Sequence, residues 1–136
     1  MTGGIAMEEK SYIPLLVELT KKLSPAPADN QPNEIIIGDG KTPPMIGRGL
    51  YKTDEIAILQ VFLPKGNILP VHKHDQKEWL ICFHGKIELR LDGEIMILSP
   101  GSCKYLPEGT AHESVALEDS KTIVVTIPAD PGFPNV

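Results

Sequence analysis

The stretch KIELRLDGEIMIL, residues 86–98, decides the fold class. Ile87, Leu89 and Leu91 fall on one parity, and Lys86, Glu88 and Arg90 on the other. Successive side chains of a strand point to opposite faces, so this alternation describes a strand with one buried and one wet face. Asp92-Gly93 follows, a dipeptide suited to the positive-φ positions of a two-residue hairpin turn. EIMIL, residues 94–98, then brings the chain back.

The same texture extends outward from this hairpin. EIII, IGRGLY, EIAILQVFL and EWLICF precede it, and CKYL, ESVAL and TIVVTI follow, each bounded by turn-forming residues. Short strands at close spacing without interleaved helices predict an all-β sandwich or antiparallel barrel over 34–136. The head of the chain differs. Leu16, Leu19 and Leu23 lie at helical spacing, so a short N-terminal helix is expected over 11–23, with Pro14 in its first turn. SPAPADNQPN, residues 24–33, has no periodicity and reads as an extended arm. The expected organisation is therefore a helix and Pro-rich arm over 1–33 and one β-domain over 34–136.

Composition sets the outer bounds. A chain of 136 residues is one domain, large enough to bury its own core. Its formal charge is −5, and Arg48 and Arg90 are its two arginines. That balance argues against nucleic acid, whose phosphates need a basic face, and against anionic membranes. No apolar run approaches the length of a membrane span. Residues 1–10 do not read as a secretory signal, so the expected location is cytoplasmic and Cys82 and Cys103 are expected to be reduced thiols.

The chemistry concentrates in two segments. In GNILPVHKHDQKEWLICFHG, residues 66–85, His72 and His74 share a parity, which on one strand places both imidazoles on one face. The short polar Asp75-Gln76-Lys77 can turn the chain and return Glu78 to the same point. In GSCKYLPEGTAHESVA, residues 101–116, Pro107 and Gly109 make a tight turn that delivers His112 to the start of a strand. Three neutral imidazoles and one carboxylate suit one divalent transition metal: Fe, Mn, Zn, Ni, Cu or Co. Four protein ligands leave room for substrate, water or dioxygen. Further candidates for the pocket are Tyr105, two residues before Pro107, and Leu69, three before His72. Gln60, in an otherwise apolar run, is a candidate for the pocket or for a solvent-facing edge. His84 is expected at the far end of the barrel. Trp79, Ile81 and Phe83 form an outward apolar stripe, and together with the arm they lead us to expect a homodimer.

The two segments resemble the two signature motifs of the cupins. Gly66, His72, His74, Glu78 and Gly85 match the first motif, and Gly101, Pro107, Gly109 and His112 the second. The resemblance covers about residues 45–128. It implies a six- to eight-stranded jelly-roll barrel with one metal in its mouth, held by His72, His74, Glu78 and His112. Three positions depart from relatives of this kind. Ala116 stands where an Asn usually closes the second motif, and Ser102 stands where Asp usually follows the opening glycine. Leu69 stands where cupins similar to oxalate decarboxylase carry a carboxylate-binding Arg. The expected function is that of a metalloenzyme acting on a small organic molecule, of dioxygenase, isomerase or lyase type. The alternative is a non-catalytic, metal-dependent protein that binds or senses a small molecule. No catalytic residue is assigned from sequence.

Overall fold

In the computed structural model, residues 33–38 and 40–136 are described. The helix expected over 11–23 and all but the last residue of the arm over 24–33 lie outside them. The described chain forms ten strands in order: β1 (Glu34–Ile37), β2 (Met45–Lys52), β3 (Ala57–Leu63), β4 (Ile68–His72), β5 (Lys77–His84), β6 (Ile87–Leu91), β7 (Glu94–Leu98), β8 (Cys103–Leu106), β9 (His112–Ala116) and β10 (Ser120–Ile127). All pairings are antiparallel. They make a six-stranded sheet, β1-β2-β3-β10-β5-β8, and a four-stranded sheet, β4-β9-β6-β7. The all-β antiparallel architecture is the one expected. The strand number exceeds the six to eight implied by the resemblance, because β1 extends one sheet and ILPVH forms β4.

The hairpin at 86–98 forms in the predicted register, with Leu91 opposite Glu94 and Ile87 opposite Leu98. Asp92 (φ 46°) and Gly93 (φ 78°) are both left-handed, as a type I′ turn requires. Ile87 and Leu89 are buried while Lys86 and Arg90 are exposed.

The two sheets bury one core between them. Leu59 and Val61 of β3, Cys82 of β5 and Val124 of β10 meet Ile87 and Leu89 of β6, Leu98 of β7 and Ala116 of β9. Burying a leucine such as Leu89 contributes about 2–3 kcal/mol. Cys82 belongs to this core, and burial pushes its thiol pKa up. β10 is the central strand of the larger sheet, paired with β3 on one side and β5 on the other. Its inward residues are Ser120, Thr122, Val124 and Thr126, so polar hydroxyls alternate into the interior.

Ser120 is fully buried at the joint between the sheets. Its hydroxyl accepts from the Lys86 amide (3.0 Å) and donates to the Glu118 carbonyl (2.8 Å). Gly85 (φ +83°) passes against this joint so closely that a Cβ would stand 2.7 Å from Ser120 Cα. On the outer surface, the Trp79 and Tyr105 rings pack at 4.9 Å and Phe83 is exposed. His84 is exposed at the end of β5. Among the described residues, no helix is long and apolar enough to cross a membrane.

Candidate metal centre

Three elements bring the histidines together. His72 ends β4, an edge strand of the smaller sheet, which is why Pro70 is tolerated inside it. His112 opens β9 directly opposite His72 in register. His74 is not on the strand with His72, as parity suggested: β4 stops at His72, and His74 lies in the loop before β5. A tie to the second motif holds that loop. The Gly109 amide donates to the His74 carbonyl (2.8 Å), and Gly109 sits at φ +74° in the Pro107–Thr110 turn. Glu78 is buried on β5, where it pairs with Thr126 of β10 and Leu106 of β8.

The ring centroids lie 5.0 Å apart for His72–His74, 4.3 Å for His72–His112 and 5.7 Å for His74–His112. One ring nitrogen of each lies within 4.8 Å of those of the others, so the three histidines form a group able to hold a metal. Every Nδ1 is already committed. His72 Nδ1 is 2.7 Å from the Pro70 carbonyl, His112 Nδ1 2.9 Å from the Thr110 carbonyl, and His74 Nδ1 2.9 Å from Asp130 Oδ2. These partners only accept, so Nδ1–H donates in each neutral ring and the lone pair resides on Nε2. Glu78 Oε1 lies 3.6 Å from Nε2 of both His74 and His112. That oxygen is buried without a hydrogen-bond partner. An orphaned carboxylate oxygen facing imidazole lone pairs is unfavourable by itself and matched to a cation.

The electrostatics agree with this donor set. Burial, with smaller repulsion from His72 and His74, drives His112 down to about 4, so it is neutral at pH 7. His74 is also lowered, first by burial and then by His72, against the opposing pull of Asp130. Burial, reinforced by Asp130, raises the Glu78 carboxyl to about 7. Neutral imidazoles are the form that ligates metals.

The centre stands at one end of a cavity of about 490 Å³ between the sheets. Leu69 lines this cavity; Tyr105 and Gln60 do not. On β8, Leu106 takes the inward parity, so Tyr105 faces outward onto Trp79. Gln60 has the opposite parity to Leu59 and Val61, and it is buried outside the cavity rather than at a solvent-facing edge.

Sequence reasoning missed Asp130. It lies 56 residues from His74, in the tail after β10. Its amide donates to Thr126 Oγ1 (2.9 Å), and its Oδ1 accepts from the Gly132 amide (2.8 Å). The carboxylate therefore reaches His74 already oriented. A carboxylate on the outer nitrogen of a histidine fixes the ring and raises its basicity toward a metal. Locally, Asp130-Pro131-Gly132 reads as a turn and nothing more.

An oxalate decarboxylase of Arthroderma benhamiae is 37% identical over 81 residues, covering 56% of this chain and 19% of that protein. The quercetin 2,3-dioxygenase of Bacillus subtilis is 38% identical over 63 residues, covering 46% of this chain and 18% of that one. The chain thus spans about a fifth of the length of these curated relatives. Among solved structures, KdgF from Halomonas sp. superposes with a TM-score of 0.62 at 25% identity, covering 76% of this chain and 86% of that one. An RmlC-like cupin from Shewanella frigidimarina gives 0.66 at 21% identity, covering 80% and 95%. The family model described as Cupin domain matches residues 58–128, the span from β3 to the end of β10 that carries all three histidines and Glu78. The chain belongs to the cupin family.

Proposed function

We propose that His72, His74 and His112, with Glu78 as fourth donor, hold one divalent transition metal and that the protein is a metalloenzyme acting on a small organic molecule. The observation that carries this is the set of three pre-oriented Nε2 lone pairs, two of them 3.6 Å from the unpartnered Glu78 Oε1. Such an ion supplies Lewis-acid polarisation or an oxygen-binding centre, which spans dioxygenase, isomerase and lyase chemistry. The chain's own residues do the rest. Thr110, Pro70 and Asp130 fix the ring tautomers. The cavity walls are mainly aliphatic. Glu78, raised to about 7 in the metal-free protein, gives up its proton near neutrality when it serves as a donor.

Tyr105 is on the outer surface, and among the described residues the carboxylates beside the centre, Glu78 and Asp130, both face its histidines. That placement favours the other reading, a metal-dependent binding or sensing protein. Elemental analysis after purification without chelator or added metal tests the first step. The expected result is a transition metal near stoichiometry that is lost in a His72→Ala/His112→Ala variant. A metal-free protein that also takes up none on addition refutes it. Turnover or oxygen consumption by the loaded protein across a panel of organic acids, sugars and phenols then separates enzyme from binder. The outward Trp79, Tyr105 and Phe83 support a homodimer, which sedimentation tests.

A further inference from the structure

The cavity beside the centre is lined mainly by aliphatic side chains. Met45, Leu59, Val61, Leu80, Leu89 and Val124 form its walls, from both sheets, and Phe133 of the C-terminal tail closes it. Its polar side chains are the three histidines, Glu78, Asp130, Ser114 and Thr122. Among the described residues, no lysine or arginine lines it. The nearby cations are turned elsewhere. Arg48 faces Glu34 at 3.7 Å, Lys52 Nζ donates to the Phe133 carbonyl at 2.6 Å, and Lys73 and Lys77 are exposed. Both formal charges on the wall are carboxylates.

Resting on the proposed metal centre, we infer that the occupant of this cavity is an uncharged, predominantly apolar organic molecule with one oxygen donor turned toward the imidazoles. A ring system bearing a hydroxyl or carbonyl has this form. Two physical points lead there. A small diacid can offer one carboxylate to the centre, but its second carboxylate then lies among aliphatic walls with no cation to meet it. The volume, within the usual range for small-molecule pockets, also leaves a two-carbon diacid mostly out of contact with the walls, whereas an apolar ring fills it. Leu69, in the lining, adds apolar surface close to the histidines.

The test uses the full chain with and without added metal, titrated with 2-naphthol as the apolar probe and oxalate as the dianion. Fluorescence reads the naphthol and calorimetry reads both. Naphthol is expected to bind, and oxalate to bind at least about 100-fold more weakly. Oxalate binding as tightly as naphthol overturns the inference, as does naphthol failing to bind a chain that holds metal. Naphthol binding by a chain that takes up no added metal supports this apolar selection while refuting the metal centre, so the two failures are distinguishable. A Phe133→Arg variant gives an independent reading. The tail is held by the Phe133 carbonyl and by Asp130 as well as by the ring, and these polar ties survive the substitution, so the variant is expected to fold. It should weaken naphthol by about tenfold or more and strengthen oxalate. Unchanged preference in that variant counts against the inference.

Discussion

Replacing Gly85 by alanine probes how the two sheets are joined. Gly85 lies between β5 and β6 at φ +83°, where an L side chain costs about 1–2 kcal/mol. The larger cost comes from its neighbour. An added methyl meets Ser120 Oγ, the Asp119 carbonyl oxygen and, at 2.7 Å, Ser120 Cα. Two of these are backbone atoms of the entry to β10, so the strand must move rather than a side chain rotate. Moving it stretches the Lys86 amide to Ser120 Oγ bond and the Ser120 to Glu118 bond, both of them within a buried joint. Leaving one such group unsatisfied costs about 1–3 kcal/mol. The sum is about 2–5 kcal/mol, a large fraction of the ~5–15 kcal/mol that holds a domain together.

Gly93→Ala supplies the control. Its φ is nearly the same, at +78°, but a methyl there meets nothing within 4 Å, so only the backbone term of about 1–2 kcal/mol remains. Urea unfolding followed by the fluorescence of Trp79 and by far-ultraviolet circular dichroism compares the two. The expected result is a lower midpoint for Gly85→Ala at unchanged slope, with a difference from Gly93→Ala of about 1–3 kcal/mol. Equal destabilisation by the two substitutions refutes the argument that contact with Ser120, rather than φ alone, fixes glycine at 85.

Three further outcomes are expected. Metal binding at pH 6 should release about 0.9 proton from Glu78, whose folded pKa of about 7 leaves it mostly protonated there, and about 0.1 at pH 8. Calorimetry in buffers of different ionisation enthalpy reads this, and Glu78→Gln should remove that share of the proton release. In the metal-free protein the same group has the opposite sign from a salt-bridged carboxylate. Its folded pKa is above the unfolded value near 4.5, so its stability contribution is present at low pH and lost as pH rises through about 7. Metal-free Glu78→Gln should therefore gain about 2 kcal/mol on the wild type between pH 5 and 8 in denaturant titrations. Asp130→Ala should weaken metal affinity about 10–100-fold by chelator competition without removing any of the four donors; unchanged affinity contradicts the role assigned to Asp130.

Features written in local chemistry were legible in the sequence. The 86–98 hairpin depends on alternation and on Asp92-Gly93, both contained in thirteen residues. Gly109 and Pro107 announce the turn before His112 for the same reason. The grouping of His72, His74 and His112 was legible from spacing, although the route was not. His74 leaves the strand, and it meets His72 because the Gly109 amide holds its loop, a contact across 35 residues. β4 was hidden because Pro70 breaks its pattern, and an edge position is what permits the proline. Tyr105 was misplaced because the motif spacing suggests nearness to the pocket, while strand parity sends its ring to the other face. Asp130 was illegible, since its role exists only after β10 has brought the tail back to the loop before β5.

That tail does two jobs with one short stretch of chain. Asp130 orients His74, and three residues later Phe133 forms cavity wall, with Lys52 clamping the backbone between strand and tail. An event that settles one end of the tail settles the other. Occupation of the centre and occupation of the cavity are then linked equilibria, and linkage is reciprocal: whatever factor the ion adds to the affinity for the organic molecule, that molecule adds to the affinity for the ion. Coupling that favours one partner therefore favours the other by the same factor.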